Sequence, residues 1–304
     1  MEGKSSYGHY AALFSILVWG TTFVSTKVLL ESFLPIEILF FRFVLGFIAL
    51  ILLCPHRLKG TTAKQELTFA LAGLSGVTLY YLCENIALTY TMATNVSVIV
   101  AAATLFTAIL NKLTKDGKEK TSKLFYLGFI IAMAGICLIS FNGSRLSLNP
   151  AGDLLALFAA FMWAVYSIII KKVGTFGYNT ILTTRRIFAY GIAFMIPFYI
   201  AMGGRFDFNR FASASNLLNM LFLGICASAL CFVTWNYAMK TLGAIRTSVY
   251  VYLVPVVTII FSFIFLHEPL SLMVICGTAL TLAGLLLSQD IKFPAARKKA
   301  SQLT

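Results

Sequence analysis

The sequence predicts an all-α membrane protein of ten transmembrane helices, arranged as two inverted five-helix repeats. Three observations predict it. The chain is 59% hydrophobic and only 12% charged, where a soluble domain would carry roughly 25% charged residues. Ten apolar runs approach the length of about 20 residues that a span requires. The two halves of the chain also resemble each other.

The runs lie between charged residues or Gly, Pro and Asn breaks. The first, 9–30, follows a hardly basic start and precedes no small-residue cleavage site, so it reads as a retained helix and not a signal peptide. The second, 35–54, opens at Pro35 and ends before Arg57, Lys59 and Lys64. The third and fourth, 66–89 and 93–112, lead to a basic stretch of Lys112, Lys115, Lys118, Lys120 and Lys123. The fifth, 123–141, reaches the loop of Arg145, and the sixth, 152–170, closes on Lys171 and Lys172. The seventh, 179–202, leads to Arg205 and Arg210, and the eighth, 214–239, to Lys240 and Arg246. The ninth, 246–266, turns directly into the tenth, 270–289, and a basic tail follows at 290–304.

The net charge of +13 suggests nucleic acid at first sight, but the cations cluster on alternate loops. Lys4 and the tail residues Lys292, Arg297, Lys298 and Lys299 fall on the rich side, while the other side holds only Arg145, Arg205 and Arg210 in loops. Under the positive-inside rule both termini are cytoplasmic, as an even helix count requires. The partners expected are therefore a lipid bilayer and a small-molecule substrate, with no nucleic acid; the oligomeric state stays open, a monomer being plausible. The six cysteines have no C-x-x-C spacing and read as packing residues, not metal ligands or disulfides. No metal or cofactor is expected. Short loops and the lack of a targeting segment look bacterial, with the cytoplasmic membrane as the location.

A shift of 144 residues places Trp19 on Trp163, Lys27 on Lys171 and Arg42 on Arg186. A shift of 151 places Asn85, Ala87, Ser97 and Thr107 on Asn236, Ala238, Ser248 and Thr258, and a shift of 149 places Gly128, Ala134 and Gly135 on Gly277, Ala283 and Gly284. One duplicated unit is implied, at 9–141 and 152–289. Each unit has an odd number of helices, so the halves enter the membrane in opposite directions, an arrangement that opens a central site to either side by rocking. The early tryptophans, the Asn-x-Ala pairs, Pro255, the turn Phe265-Leu266-His267-Glu268-Pro269-Leu270-Ser271 and Ala283-Gly284 together resemble the drug/metabolite transporter superfamily, EamA type. The resemblance runs from Tyr10 to Ser288. It departs at Thr104, which fills the slot matching Pro255, so the fourth helix is expected to lack the bend of the ninth; the acid of the turn also has no counterpart in the first half.

Glu84 is the lone acid in the apolar run from Gly73 to Val100. An ionisable group in hydrocarbon is costly unless it faces a cavity or a partner, which makes it the first functional candidate. It lies about 9 Å from the outer end of its helix at 1.5 Å per residue, and Arg42 lies at similar depth. One hypothesis joins the two, with protonation of Glu84 coupled to substrate binding. A static buried ion pair is the plainer reading, and a carboxylate reaching the outer water alone is a third. In the second half Arg186 would correspondingly meet Trp235 in a cation–π contact.

Trp19 and Trp163 fall near mid-helix, away from the aromatic belt, each with a polar partner one turn on, Thr22 and Tyr166. A cavity lining is the functional reading and core packing the plain one. Tyr80 shares a face with Glu84, and Tyr81 with Asn85, so only one pair can look inward. Trp235 and Tyr250 join the candidate cavity set, although belt anchoring explains them as well. Asn85, Asn236, Asn95, Ser97 and Ser248 serve substrate binding or interhelical hydrogen bonds equally. Glu268 reads as a helix N-terminal acid before Pro269.

The function expected is secondary transport of a small organic metabolite by alternating access. The family resemblance implies an amino acid or related compound, with export the commoner direction. A facilitator, or a carrier of a drug, vitamin or nucleoside, is the alternative within the same fold. An integral-membrane enzyme is disfavoured because His9, His56 and His267 lie in different regions and no convergent acid–base group is legible. A channel would want a ring of repeated groups. The chain lacks a phosphate-binding G-x-x-x-x-G-K-[ST] motif.

Overall fold

The computed structural model describes residues 2–114, 123–140, 150–266 and 272–288, and among these every regular element is a helix. The first half contributes α1 (Glu2–Leu29), α2 (Pro35–Leu53), α3 (Ala63–Tyr90), α4 (Ala93–Leu113) and α5 (Lys123–Ser140). The second contributes α6 (Pro150–Gly174), α7 (Thr180–Ala201), α8 (Ala214–Leu242), α9 (Ala244–Leu266) and α10 (Leu272–Ser288). Eight of these are long and apolar enough to cross a membrane, while α5 and α10 carry shorter apolar stretches, Lys123–Gly135 and Ile275–Gly284. Lys115, Lys118, Lys120, Arg145, the turn with His267, Glu268 and Pro269, and the basic tail lie outside the described residues.

Polar chain ends are closed locally, as a low-dielectric surrounding demands. Pro35 opens α2, and the Glu37 carboxylate accepts the Leu34 backbone N–H at 2.8 Å. Thr62 and Gln65 exchange side-chain and backbone hydrogen bonds at the start of α3. The ammonium of Lys27 donates to the Leu88 and Thr91 carbonyls at 2.6 and 3.0 Å, satisfying the end of α3. Outward-turned Leu17, Ile48, Leu52, Ile200 and Ile260 give the bundle the apolar surface that lipid solvates.

The two halves interlock reciprocally. Gly46 on α2 lies so near α8 that a Cβ there would stand 3.0 Å from the Gly224 carbonyl oxygen, and Gly73 on α3 lies so near α7 that a Cβ would stand 2.7 Å from the Gly191 nitrogen. Each contact thus pairs the second helix of one half with the third helix of the other. Small residues permit this approach where no hydrophobic drive separates lipid from protein. α5 and α10 pack together along Gly128, Gly135 and Gly284, and α1 against α8 matches α6 against α3.

Both third helices leave the α register. α3 contains a π-helical turn at Gly73–Leu79 and α8 one at Phe222–Leu230. The Tyr80 N–H reaches back five residues to the Ser75 carbonyl, as the Cys231 N–H does to Cys226. The expected difference between the fourth and ninth helices is corrected: α4 breaks at Ala101–Ala102 without proline, as α9 breaks at Val249–Tyr252. The reason is a contact between the two breaks. Thr104 Oγ1 donates to the Ser248 carbonyl at 2.8 Å, so the hydroxyl in the proline's slot binds the opposite interruption.

A strap lies across each end of the α2–α7 pair. At one end the buried Glu37 carboxylate accepts from the Arg205 backbone N–H and both terminal nitrogens of Arg210, with the closest ion-pair distance 2.7 Å. That hydrogen-bonded carboxylate holds the Arg210 guanidinium pKa above its ordinary value. At the other end Arg185 donates to the Cys54 and His56 carbonyls, and Arg186 pairs with Glu66 at 3.4 Å.

Candidate functional site

The π-helical turns aim the residues that follow them into the centre of the bundle. Tyr80, Tyr81 and Glu84 come directly after the turn in α3, and Phe232 and Trp235 after the turn in α8. There Trp19 of α1 and Trp163 of α6 meet edge to face, ring centroids 5.2 Å apart at 88°. Trp235 stands 5.1 Å from Trp19 and 6.1 Å from Trp163, and Tyr80 stands 4.8 Å from Trp163. Phe232 sits beneath all of these, touching the rings of Trp19, Trp163, Tyr81 and Tyr166.

A cavity of about 20 Å³ opens among them. That is room for about one water, so the conformation is closed to any larger molecule. Of the sequence-predicted residues, Trp19, Thr22, Tyr80, Glu84 and Trp163 line it. Tyr81 lines it too, so both tyrosines reach the cavity, whereas the sequence allowed only one of the two faces. Val100 and Val251, at the breaks of α4 and α9, close the remaining wall.

Glu84 is 1% exposed, and its Oε2 has no hydrogen-bond partner. Arg42 is 0% exposed; its Nε donates to Ser228 Oγ at 3.0 Å, while Nη1 and Nη2 have no hydrogen-bond partner. Its guanidinium lies 4.4 Å from the centroid of the Tyr81 ring. Among the described residues no ion pair joins Arg42 to Glu84. Two buried ionisable groups therefore stand near one centre, each with polar atoms lacking a hydrogen-bond partner, which is costly in a low-dielectric core.

The π turns also take part in hydrogen bonds between helices. The Trp19 indole N–H donates to the Ala227 carbonyl inside the second turn at 2.8 Å. Thr78 inside the first turn donates to the Gly191 carbonyl at 2.9 Å. Tyr166 lies flat over Gly76, where a Cβ would collide with its ring, and its hydroxyl donates to Asn236 Oδ1 at 2.8 Å. Asn236 passes the chain on to Thr184 at 3.0 Å. Tyr166 and Asn236 therefore support the aromatic cluster from behind.

Other expected members lie elsewhere. Asn85 donates to the Pro35 carbonyl at 3.1 Å, tying α3 to the start of α2, and does not line the cavity. Arg186, near the start of α7, lies at the strap with Glu66 and makes no cation–π contact with Trp235 among the described residues. Trp235 is wholly buried with its indole N–H unpartnered. Tyr250 is half-buried, its hydroxyl 2.7 Å from His9 Nδ1. No group of three His, Cys, Asp or Glu side chains able to hold a metal occurs among the described residues.

Composition could not reveal Tyr81 as a wall residue or Phe232 as the ring packed against the cluster, since one follows the register shift at Gly73–Leu79 and the other that at Phe222–Leu230. The one sequence signal was the spacing of small residues, Gly73, Ser75 and Gly76 against Gly224, Cys226 and Ala227.

Comparison with known proteins matches this arrangement. The family model described as the EamA-like transporter family matches twice, over residues 6–141 and 150–289. An uncharacterized transporter of Archaeoglobus fulgidus is 32% identical over 291 residues, covering 93% of this chain and 98% of the relative. A probable terminal-alkyne amino-acid exporter of Streptantibioticus cattleyicolor is 24% identical over 285 residues, covering 93% and 94%. One solved crystal structure resembles this fold with a TM-score of 0.73 at 18% identity, covering 94% of this chain and 98% of that one.

Proposed function

The chain belongs to the EamA-like transporter family, and from that premise we propose that it exports an amino acid or related compound across the cytoplasmic membrane. In this reading α5 and α10 also cross the bilayer, giving ten spans in two inverted units, 9–141 and 152–289, with both termini and the tail 290–304 cytoplasmic. The basic loops support that orientation. So does Arg210, whose charge on the opposite side is neutralised by Glu37.

One observation carries the substrate reading: the unpartnered, buried carboxyl oxygen of Glu84 beside a cavity walled by Trp19, Tyr80 and Trp163. A carboxylate among ring faces suits an ammonium group, since both the charge and the rings attract a cation. Arg42, behind the Tyr81 ring, supplies the opposite charge for a carboxylate. A substrate bearing both groups answers both. Proton exchange at Glu84 then drives transport, because a substrate ammonium and a proton compete for one carboxylate. Rocking of one half on the other, about the α2–α8 and α3–α7 glycine contacts, enlarges the closed cavity towards either side.

The relative named as an amino-acid exporter supports the same class. Flat cations form the second class, favoured by the ring-walled cavity alone. The experiment is counterflow in proteoliposomes with labelled amino acids, amines, nucleosides and riboflavin, comparing wild type with Glu84→Gln from mildly acidic to mildly alkaline pH. Amino-acid exchange that loses its pH dependence in the variant is the expected result. Wild-type behaviour of the variant would remove Glu84 from coupling and leave it a packing residue.

A further inference from the structure

A second cavity lies apart from the aromatic centre. It measures about 560 Å³, within the usual range for ligand pockets, and shares no lining residue with the central one. It lies between the end of α2 and the start of α7. Phe47, Ile51 and Leu182 form an apolar wall, and Arg57, Arg185 and Arg186 line the same pocket.

The pocket is preformed, because Arg185 pins the loop after α2 through the Cys54 and His56 carbonyls. Glu66 beside it offsets one of the three guanidinium groups. The excess of positive charge asks for an anion, and the apolar wall asks for hydrocarbon. A soluble anion would leave Phe47, Ile51 and Leu182 without use, and a neutral hydrocarbon would leave the arginines so. The neighbouring Leu52 and Leu53 are 77% and 68% exposed, so apolar outer surface adjoins the arginine-lined pocket.

We propose that this pocket binds an anionic phospholipid, its phosphate held by Arg57 and Arg186 and the first part of an acyl chain laid along Phe47, Ile51 and Leu182. Planar guanidinium groups suit a phosphodiester, which they grip by paired N–H donors. Anionic lipids also concentrate on the cytoplasmic leaflet, the side that the basic loops select. Because α2 and α7 come from different halves, the bound lipid touches both and rests on a contact that rocking alters.

Native mass spectrometry of the detergent-purified full chain, equilibrated with equal amounts of phosphatidylglycerol and phosphatidylcholine, tests this. One phosphatidylglycerol is retained in preference to phosphatidylcholine. Arg57→Glu, at an exposed position, lowers that preference by about fivefold or more, the weight of one surface cation near anionic lipid. Ala189→Trp, at another lining position, fills the pocket while keeping all three arginines and lowers it similarly. Both variants are accepted only as monodisperse protein. Equal retention of the two lipids overturns the proposal, as does an unchanged preference in either variant. Displacement of the lipid by millimolar inorganic phosphate overturns it too, since the site would then serve the free anion.

Discussion

The guanidinium of Arg42 is carried on the ring of Tyr81, 4.4 Å from its centroid, while Tyr81 itself forms part of the cavity wall beside Glu84. The two buried ionisable groups are thus not joined in a salt bridge among the described residues, and the arginine rests on an aromatic side chain instead. A joined pair would satisfy itself; these two each keep polar atoms without a hydrogen-bond partner.

The lack of a salt bridge still leaves the two groups coupled through a low-dielectric core. Glu84→Gln and Arg42→Gln should each destabilise the protein, and the double variant should cost less than the sum by about 1 kcal/mol, typical for residues sharing one network. Chemical denaturation of the four proteins in detergent measures the cycle. Additivity within about 0.3 kcal/mol would mean that the two groups do not sense each other.

Gly76 gives a prediction of sign. Alanine for glycine inside a helix ordinarily stabilises by about 1 kcal/mol. Here the added Cβ would strike the Tyr166 ring, and overpacking of a filled core costs about 1–3 kcal/mol. Gly76→Ala should therefore lower the melting temperature and also weaken counterflow, because Tyr166 supports the aromatic cluster. A variant more stable than wild type would remove Gly76 from that role.

The elements legible in the sequence were those that stand out against hydrocarbon. Trp19, Trp163 and Glu84 are rare residues in apolar runs, and the structure brings all three to one cavity. What stayed illegible depends on contacts between the halves. The π turns exist where Gly73 meets Gly191 and Gly224 meets Gly46, and the break in α4 exists where Thr104 meets Ser248. No periodicity within one helix encodes such pairings. Asn85 and Arg186 were assigned to the centre by their repeat positions, but a side chain's hydrogen-bond partner decided otherwise: the Pro35 carbonyl for one, Glu66 for the other.

The break in α4 also predicts tolerance. Thr104 sits in the first turn after it, where a proline costs little beyond the bonds lost there. Thr104→Pro removes the hydroxyl's bond to Ser248 and one backbone bond, about 0.5–1.5 kcal/mol each. Ala108→Pro, in the helix interior, should cost about 3 kcal/mol or more. Thermal melts of the two variants rank them, and equal losses would show that α4 is continuous across Ala101–Ala102.

Two tryptophans in ring contact should answer the same substitution differently. The Trp19 indole N–H donates to the Ala227 carbonyl at 2.8 Å, whereas the Trp235 indole N–H is buried without a partner. Phenylalanine in either place loses similar ring volume, so the packing losses largely cancel in the comparison. At position 19 the substitution also removes the hydrogen bond to the Ala227 carbonyl, a loss of about 0.5–1.5 kcal/mol. At position 235 it removes an unsatisfied donor and relieves the penalty of burying it. Trp19→Phe should therefore unfold at lower denaturant than Trp235→Phe, with a difference of about 1–3 kcal/mol. The reverse order would mean that Trp235 N–H is satisfied during the transport cycle by a group absent from the closed state, which would make it a substrate-binding donor in place of a packing ring.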